Sequence, residues 1–187
     1  MQKPKGYDSV SVGGGGFQPI NPGGHYMGIL QVKEKQNSKG ADMLVVAYEF
    51  DGRDEQKGYF KHLFDTDPKI DKKWPVSGTS YINVLDQNGN CSKNFKSFCV
   101  CVENSNGIKI DWDAQDFCAQ FKGKRIGGVF GKTEHNWNGK ITMRTELRYF
   151  IEYDRVAGAK VPEPRMLKKA ETSTTPPSTP AEEDAPF

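Results

Sequence analysis

The sequence predicts a mainly β domain, a five-stranded barrel with one α-helix after its third strand, followed by a disordered C-terminal tail. Three observations predict this class. Short β-rich runs separated by turn residues occupy the chain from residue 25 to residue 64. A single apolar helical stripe follows them. Two further β-rich runs then flank Asn138-Gly139, a strong signal for a two-residue hairpin turn.

Three strands are predicted in the first part of the chain. Residues 25–35 and 42–50 are rich in β-forming side chains, and the polar turn 36–40 separates them. Residues 57–64 (KGYFKHLF) are predicted as the third strand, because their side chains can alternate between the two faces of a sheet. Residues 66–90 contain many turn-forming pairs with Pro, Gly or Asn, so loops are predicted there.

The helix is predicted over residues 92–104, where Ser92 is placed to cap the N-terminus. Its apolar stripe recurs at i, i+3, i+4 and i+7, on Phe95, Phe98, Cys99 and Val102.

The last two strands are predicted over residues 125–135 and 140–154. Simple alternation in the second of them puts Arg144, Arg148 and Phe150 on one face. The other face is then apolar and carries Ile141, Met143, Leu147, Tyr149, Ile151 and Tyr153. Five strands with a helix after the third is the element order of an OB-fold barrel.

Composition divides the chain into four predicted parts. Residues 1–22 form a flexible Gly-rich arm, and residues 23–165 form the OB-fold domain. Residues 166–180 are predicted to be a disordered Thr/Pro-rich linker, because residues 172–180 contain no apolar side chain that could pack, apart from the prolines. Residues 181–187 form an acidic tip.

The formal net charge of +2 conceals an asymmetry. From residue 170 onward there are 4 acids and no Lys or Arg, which leaves 20 acids against 26 bases, a net +6, in residues 1–169. A basic body with an acidic tail indicates a polyanionic partner for the body and a different partner for the tail.

The sequence gives little support to several other classes. Its three histidines are scattered with no nucleophile motif beside them, so we expect no enzyme. The segment 127–133 (GGVFGKT) is not a phosphate-binding loop, because Ile126 stands where that loop needs its first Gly. The four cysteines form no C-x-x-C pair, and neither a metal nor a cofactor is expected. Since no membrane span or signal peptide is found, we expect a cytoplasmic protein.

Bases interleaved with aromatic residues suit single-stranded DNA, which needs cations along the phosphates and rings that stack on bases. Core packing is an alternative for Tyr59, and a salt-bridged surface around Glu146 is an alternative for its arginine neighbours. The candidate DNA-binding residues are Lys57, Tyr59, Lys61, Lys73, Trp74, Tyr81, Arg125, Lys132, Trp137, Lys140, Arg144 and Arg148.

A series of short motifs follows in a fixed order between residues 22 and 165. The motifs are Pro22-Gly23-Gly24-His25-Tyr26, Tyr48-Glu49-Phe50-Asp51, Gly58-Tyr59-Phe60, Leu63-Phe64, Phe95-Lys96-Ser97-Phe98, Asp111-Trp112-Asp113, Phe121-Lys122-Gly123-Lys124 and Val161-Pro162-Glu163-Pro164. In this order they resemble a phage family of single-stranded DNA-binding proteins, and the resemblance implies an OB-fold protein of phage replication or recombination.

The acidic tip is a second candidate site, for protein interaction, through Glu182, Glu183, Asp184, Pro186 and Phe187. An aromatic ring beside several carboxylates fits an apolar pocket with a basic rim. The ending is similar to the tail of bacterial and phage single-stranded DNA-binding proteins, which implies recruitment of replication, recombination or repair proteins. The alternative is a solvated acidic terminus that happens to end in Phe.

Two functions are therefore expected to compete. The first is a phage protein that coats and protects single-stranded DNA in the host cytoplasm and recruits partners through its tail. The second is an OB-fold adaptor that binds a replisome or recombination protein and no DNA. The sequence leaves homo-oligomer formation open.

Overall fold

The computed structural model describes residues 18–167, so the candidate tail residues 182–187 lie outside it. Within that range one sheet contains five antiparallel strands: β1 (Gly23–Gln36), β2 (Asp42–Phe50), β3 (Thr79–Asn83), β4 (Arg125–Trp137) and β5 (Lys140–Ile151). The helices are α1 (Tyr59–Thr66) and α2 (Lys93–Asn106), with 3₁₀ turns at Val76–Gly78, Ala119–Phe121 and Tyr153–Gly158. The predicted mainly β class is confirmed.

The strands lie in the order β3-β2-β1-β4-β5. Three successive antiparallel strands followed by a fourth that returns beside the first is a Greek key. The sheet is not closed, because β3 and β5 are its two edges and do not pair with each other in the described part of the chain. The structure therefore has an open sheet in place of the predicted barrel, and each edge strand has one side without a partner strand among the described residues.

Strand β1 is the centre of the sheet and pairs with both β2 and β4. Its register with β2 shifts between Ile29 and Gln31, which leaves an extra residue at Leu30. Such a bulge bends a strand and increases its twist. Along β2 the buried positions alternate strictly, at Leu44, Val46, Tyr48 and Phe50.

The core beneath the sheet is dominated by aromatic rings. The Phe50 ring lies 4.8 Å from that of Phe60 and 5.3 Å from that of Phe130, centroid to centroid. Tyr48 meets Phe60 and Phe130 edge-on. Edge-to-face and tilted contacts at these distances add to the free energy gained by burial.

The predicted third strand is wrong: residues 59–66 form α1 instead. The carboxylate of Glu49, on β2, accepts hydrogen bonds from the backbone N–H groups of Phe60 and Lys61. It therefore satisfies donors in the first turn of the helix, as a capping side chain does. The segment fits both structures: Phe60, Leu63 and Phe64 have helical spacing, and the same run of residues can also alternate between two strand faces. The pattern alone therefore did not distinguish a helix from a strand.

The third strand of the sheet is instead β3, in the region predicted to hold only loops. It has five residues, and within residues 18–167 it pairs only with β2. Because α2 follows β3, the predicted helix still comes after the third strand, but α1 makes it the second helix rather than the only one.

Helix α2 agrees with its prediction. The Ser92 hydroxyl accepts a hydrogen bond from Phe95 N at 3.1 Å, as an N-cap does. The predicted stripe is buried, together with Cys101. Burial raises the pKa of the Cys99 thiol to about 12 and that of Cys101 to about 11, so both are packed, protonated thiols.

The predicted β4–β5 hairpin is confirmed, but the predicted faces of β5 are wrong after Leu147. Asn138 and Gly139 have φ values of 51° and 81°, as a tight primed turn requires. A register shift at Val129/Phe130 makes Arg148 an extra residue on β5. As a result Phe150 packs in the core, 5.2 Å from the Phe98 ring, while Tyr149 faces solvent.

Glycines in β4 allow other parts of the chain to approach closely. A Cβ on Gly128 would lie 2.5 Å from Met27 Cε, and one on Gly131 would lie 2.5 Å from Pro162 Cγ. The GGVFGKT segment is thus strand throughout, and another strand follows it rather than a helix.

A buried hydrogen-bonded contact between His25 and Asp54 joins the start of β1 to the loop after β2. His25 Nδ1 lies 3.1 Å from both oxygens of Asp54, and Nε2 lies 2.8 Å from the carbonyl oxygen of Asn21. Both ring nitrogens thus face acceptors, so both contacts are hydrogen bonds when the ring is an imidazolium. Asp54 also accepts from the backbone N–H groups of Tyr26 and Gln56.

The pKa of Asp54 is lowered: burial raises it, but the hydrogen bonds from His25, Gln56 and Tyr26 outweigh burial. A carboxylate with a lowered folded pKa stabilises the fold above its unfolded pKa of about 4, and this contribution is lost as pH falls through the folded pKa.

Asp54→Asn should therefore lower the free energy of unfolding by about 3 kcal/mol at pH 7, because the hydrogen bonds from His25, Tyr26 and Gln56 lose their buried carboxylate acceptor. Urea titration followed by tryptophan fluorescence measures this, and the cost should shrink near pH 3. Asp65→Asn is the matched control, because its exposed ion pair with Lys61 should contribute less than about 1 kcal/mol. Equal costs for the two variants would contradict the assignment.

Candidate nucleic-acid interface

A groove runs between the two edges of the sheet, β3 and β5. Its larger part has a volume of about 1040 Å³ and is lined by both strands, by Tyr59 of α1 and by residues 19–22. A smaller part of about 330 Å³ extends to Asn94 and Ser97 of α2. Because Ser80, Tyr81 and Leu147 line both parts, we treat them as one feature, the seam groove.

Two exposed tyrosines lie on opposite walls of the seam groove. Tyr81 on β3 is 58% exposed and Tyr149 on β5 is 50% exposed. Met143 and Val76 add exposed apolar surface along the larger part. Exposed rings beside a groove are what stacking on unpaired bases requires.

The cations of the seam groove are Lys132, Arg144 and Arg148. Within residues 18–167 neither arginine forms an ion pair with a carboxylate. Arg148 Nη1 donates to the carbonyl of Lys132 at 3.2 Å, which fixes the side chain without neutralising it.

The carboxylate between the two arginines has another neighbour. Glu146 Oε1 lies 2.7 Å from His135 Nε2. That nitrogen lacks a well-aligned hydrogen bond, so the contact acts as an ion pair when the ring is protonated. The salt-bridged surface considered for Arg144 and Arg148 is therefore not formed among the described residues.

One buried and one half-buried tyrosine also line the groove, Tyr48 and Tyr59. Tyr48 donates to the carbonyl of Ser77 at 3.0 Å, and burial and the charge of Glu146 raise its pKa well above the ordinary value. Burial raises the pKa of Tyr59 to about 12. The Tyr59 ring contacts those of Phe50 and Phe60, so core packing already accounts for it.

The structure brings five of the twelve predicted residues to the groove and places seven elsewhere. Lys61 is on the exposed side of α1, where its Nζ lies 2.7 Å from Asp65 Oδ2. Trp74 Nε1 donates to the carbonyl of Gly78 at 3.0 Å, and its ring lies 5.9 Å from that of Phe64. The residues in the groove are Tyr59, Tyr81, Lys132, Arg144 and Arg148; those outside its lining are Lys57, Lys61, Lys73, Trp74, Arg125, Trp137 and Lys140.

Trp137 and Lys140 flank the turn at the tip of the β4–β5 hairpin. Strand β1 pairs with β4 only as far as Phe130, so the hairpin extends beyond the rest of the sheet. Trp137 is 75% exposed there. An extended hairpin with a ring and a cation at its tip could contact a strand that leaves the groove.

Sequence reasoning missed Tyr149 and Met143 as groove residues, and also Asn94 and Ser97 of α2. Tyr149 was assigned to the core because simple alternation does not show the bulge at Arg148. The polar positions of α2 carried a usable signal, since they lie opposite the apolar stripe of that helix.

Comparison with known proteins leaves the family open. Neither a protein-family model nor a curated protein matches this chain. The resemblance to phage single-stranded DNA-binding proteins therefore stays a prediction from motif order. Among the described residues no helix is long and apolar enough to cross a membrane, and no group of three or more His, Cys, Asp or Glu could hold a metal ion.

Substitutions of the two candidate tryptophans should differ in their effect on the free energy of unfolding. Trp74→Phe removes the indole N–H that donates to Gly78 and should lower the free energy of unfolding by about 1 kcal/mol. Trp137→Phe should change it by less than about 0.5 kcal/mol, because the side chain is exposed. Urea unfolding followed by far-UV circular dichroism tests both, and a larger cost at Trp137 would refute the assignment.

Proposed function

We propose that this protein binds single-stranded DNA without catalysing a reaction, through an OB-fold body, and recruits other proteins through its acidic tail. The observation that carries the proposal is the seam groove. Exposed tyrosine rings lie along it together with guanidinium groups that form no ion pair within residues 18–167. In this role the protein would coat and protect phage DNA in the host cytoplasm during replication or recombination.

The strand order supports the OB-fold assignment. The OB-fold is a five-stranded, partly open Greek-key barrel, and β1 to β4 form a Greek key in an unclosed five-stranded sheet. The helix between β3 and β4 agrees with the element order expected for that fold.

The chemistry of the groove favours single strands over duplex. Phosphates are held by cations, and a tyrosine ring can stack only on a base that is not already stacked in a duplex. Such contacts carry little sequence information, because every base presents a flat face. The protein is therefore expected to bind DNA of any sequence.

One observation favours the adaptor alternative. A second pocket, of about 570 Å³, contains Trp112, which is 61% exposed and stacks on Phe117. Glu34, Asp42 and Lys35 also line it, so carboxylates outnumber cations and phosphates are disfavoured. An apolar pocket with carboxylates at its edge fits a protein partner.

The groove assignment predicts how binding depends on salt. Binding of fluorescent oligo-dT should weaken as salt rises, and the double substitution Lys132→Ala/Arg144→Ala should reduce the slope of log affinity against log salt by about 1.4. The matched control, Lys109→Ala/Lys122→Ala, removes two exposed cations outside the groove and should leave the slope unchanged. Salt-independent binding, or preference for duplex, would contradict DNA binding by the groove; absence of binding would favour the adaptor.

The tail makes a separate prediction. Deleting residues 181–187 should leave affinity for oligo-dT unchanged or increase it, because the deletion removes carboxylates that repel phosphates. The same deletion, and Phe187→Ala alone, should abolish capture of replication or recombination proteins in a pull-down. Weaker DNA binding after the deletion would be incompatible with this division of roles.

A further inference from the structure

Two arginines share one tyrosine ring at a surface outside the seam groove. Cζ of Arg53 lies 5.4 Å and Cζ of Arg125 lies 5.1 Å from the centre of the Tyr153 ring. Cζ of Arg53 also lies 4.7 Å from the centre of the Tyr26 ring. Cation–π attraction operates at these distances. We call these four residues the arginine–tyrosine cluster.

Hydrogen bonds fix the backbone positions of both arginines. The backbone N–H of Asp51, which begins the loop carrying Arg53, donates to the carbonyl of Tyr26 at 2.9 Å. The side-chain amide of Asn106, on α2, accepts from Arg125 N at 3.0 Å and donates to the Arg125 carbonyl at 2.8 Å. The backbone that carries the two guanidinium groups is thus in place before any ligand arrives, and the tyrosine rings orient the side chains.

The two positive charges of the cluster outnumber the negative charge beside them. Neither Arg53 nor Arg125 forms an ion pair within the described part of the chain. The neighbouring carboxylate, Asp51, offsets one of the two charges; its Oδ1 accepts from Arg53 N at 2.8 Å, and Oδ2 accepts from the Tyr153 hydroxyl. Burial, with the hydrogen bond to Asp51, raises the pKa of Tyr153 to about 12, so this hydroxyl stays protonated.

The cluster lies one loop away from the seam groove. Arg53 and the groove residue Tyr59 are six residues apart, so their Cα atoms are separated by at most about 21 Å. Three turn hydrogen bonds within residues 51–59 shorten that path. The exposed Lys57 lies between Arg53 and Tyr59 in the chain.

We propose that the arginine–tyrosine cluster is a second DNA contact, which binds backbone phosphates of a strand that leaves the seam groove past Tyr59 and Lys57. Guanidinium groups offer paired N–H donors that match phosphate oxygens. The rings of the cluster are occupied by the guanidinium groups, so it contacts phosphates and does not stack on bases. This site rests on the proposed function and extends its DNA footprint beyond the groove.

Binding of oligonucleotides of two lengths distinguishes the seam groove from the arginine–tyrosine cluster. Arg53→Gln/Arg125→Gln should leave binding of an oligo-dT of about 8 nucleotides unchanged, because the groove alone accommodates it. For an oligo-dT of about 35 nucleotides the same double variant should reduce the salt slope by about 1.4, the value for two lost phosphate contacts. Arg53→Lys/Arg125→Lys retains both charges and should keep the slope. Circular dichroism and urea unfolding establish that each variant is folded.

Each other outcome overturns the site in a recognisable way. An unchanged slope for the long oligonucleotide means that the cluster does not contact DNA, while the groove stands. Equal losses for both lengths mean that the cluster has no separate footprint. If the loss disappears in a chain ending at residue 180, the cluster binds the acidic tail and not DNA. If the native chain binds neither oligonucleotide, the proposed function fails together with the site.

Discussion

The double pairing of strand β1 is the constraint on which the rest of the structure depends. β1 holds β2 and β3 on one side and β4 and β5 on the other, so its shape determines where the two free edges lie. The bulge at Leu30 bends it, and Gly24 lets it pack tightly, since a Cβ there would lie 2.5 Å from the carbonyl oxygen of Val156. A sheet bent in this way brings its edges toward each other, and the space that remains between β3 and β5 is the seam groove.

An open edge exposes unpaired backbone groups and is usually a liability. Here the side chains along the edge strand β5 include Arg144 and Arg148, and charges at an edge discourage pairing with another chain. The same charges would attract phosphates, so protection of the edge and DNA binding need not compete. The bulge at Arg148 adds to this, because it turns Phe150 into the core and leaves Tyr149 on the groove wall.

Local signals were read correctly from the sequence, and non-local ones were not. The bounds of β2, the Ser92 cap and the Asn138-Gly139 turn each depend on a few adjacent residues. Helix α1 was missed because Glu49, which accepts hydrogen bonds from its first turn, is on another element. Strand β3 was missed because a short polar strand is identified by the strand that it pairs with and not by its own residues. For the site, residue type identified Tyr81, Arg144 and Arg148 as candidates, but the arginine–tyrosine cluster joins residues about a hundred positions apart in the chain and had no sequence pattern.

The position where the described chain ends links the body to the proposed tail. Arg165 N donates to the Lys132 carbonyl and Arg165 O accepts from Glu134 N, both at 2.9 Å, so this segment is bound along β4. Leu167 N donates to Glu134 Oε2 at 3.0 Å. The described chain thus ends beside Glu134, on the strand that also carries the groove residue Lys132. A protein recruited by the proposed tail would be tethered to this end of β4, at a local concentration near the seam groove that the tether sets and free diffusion does not.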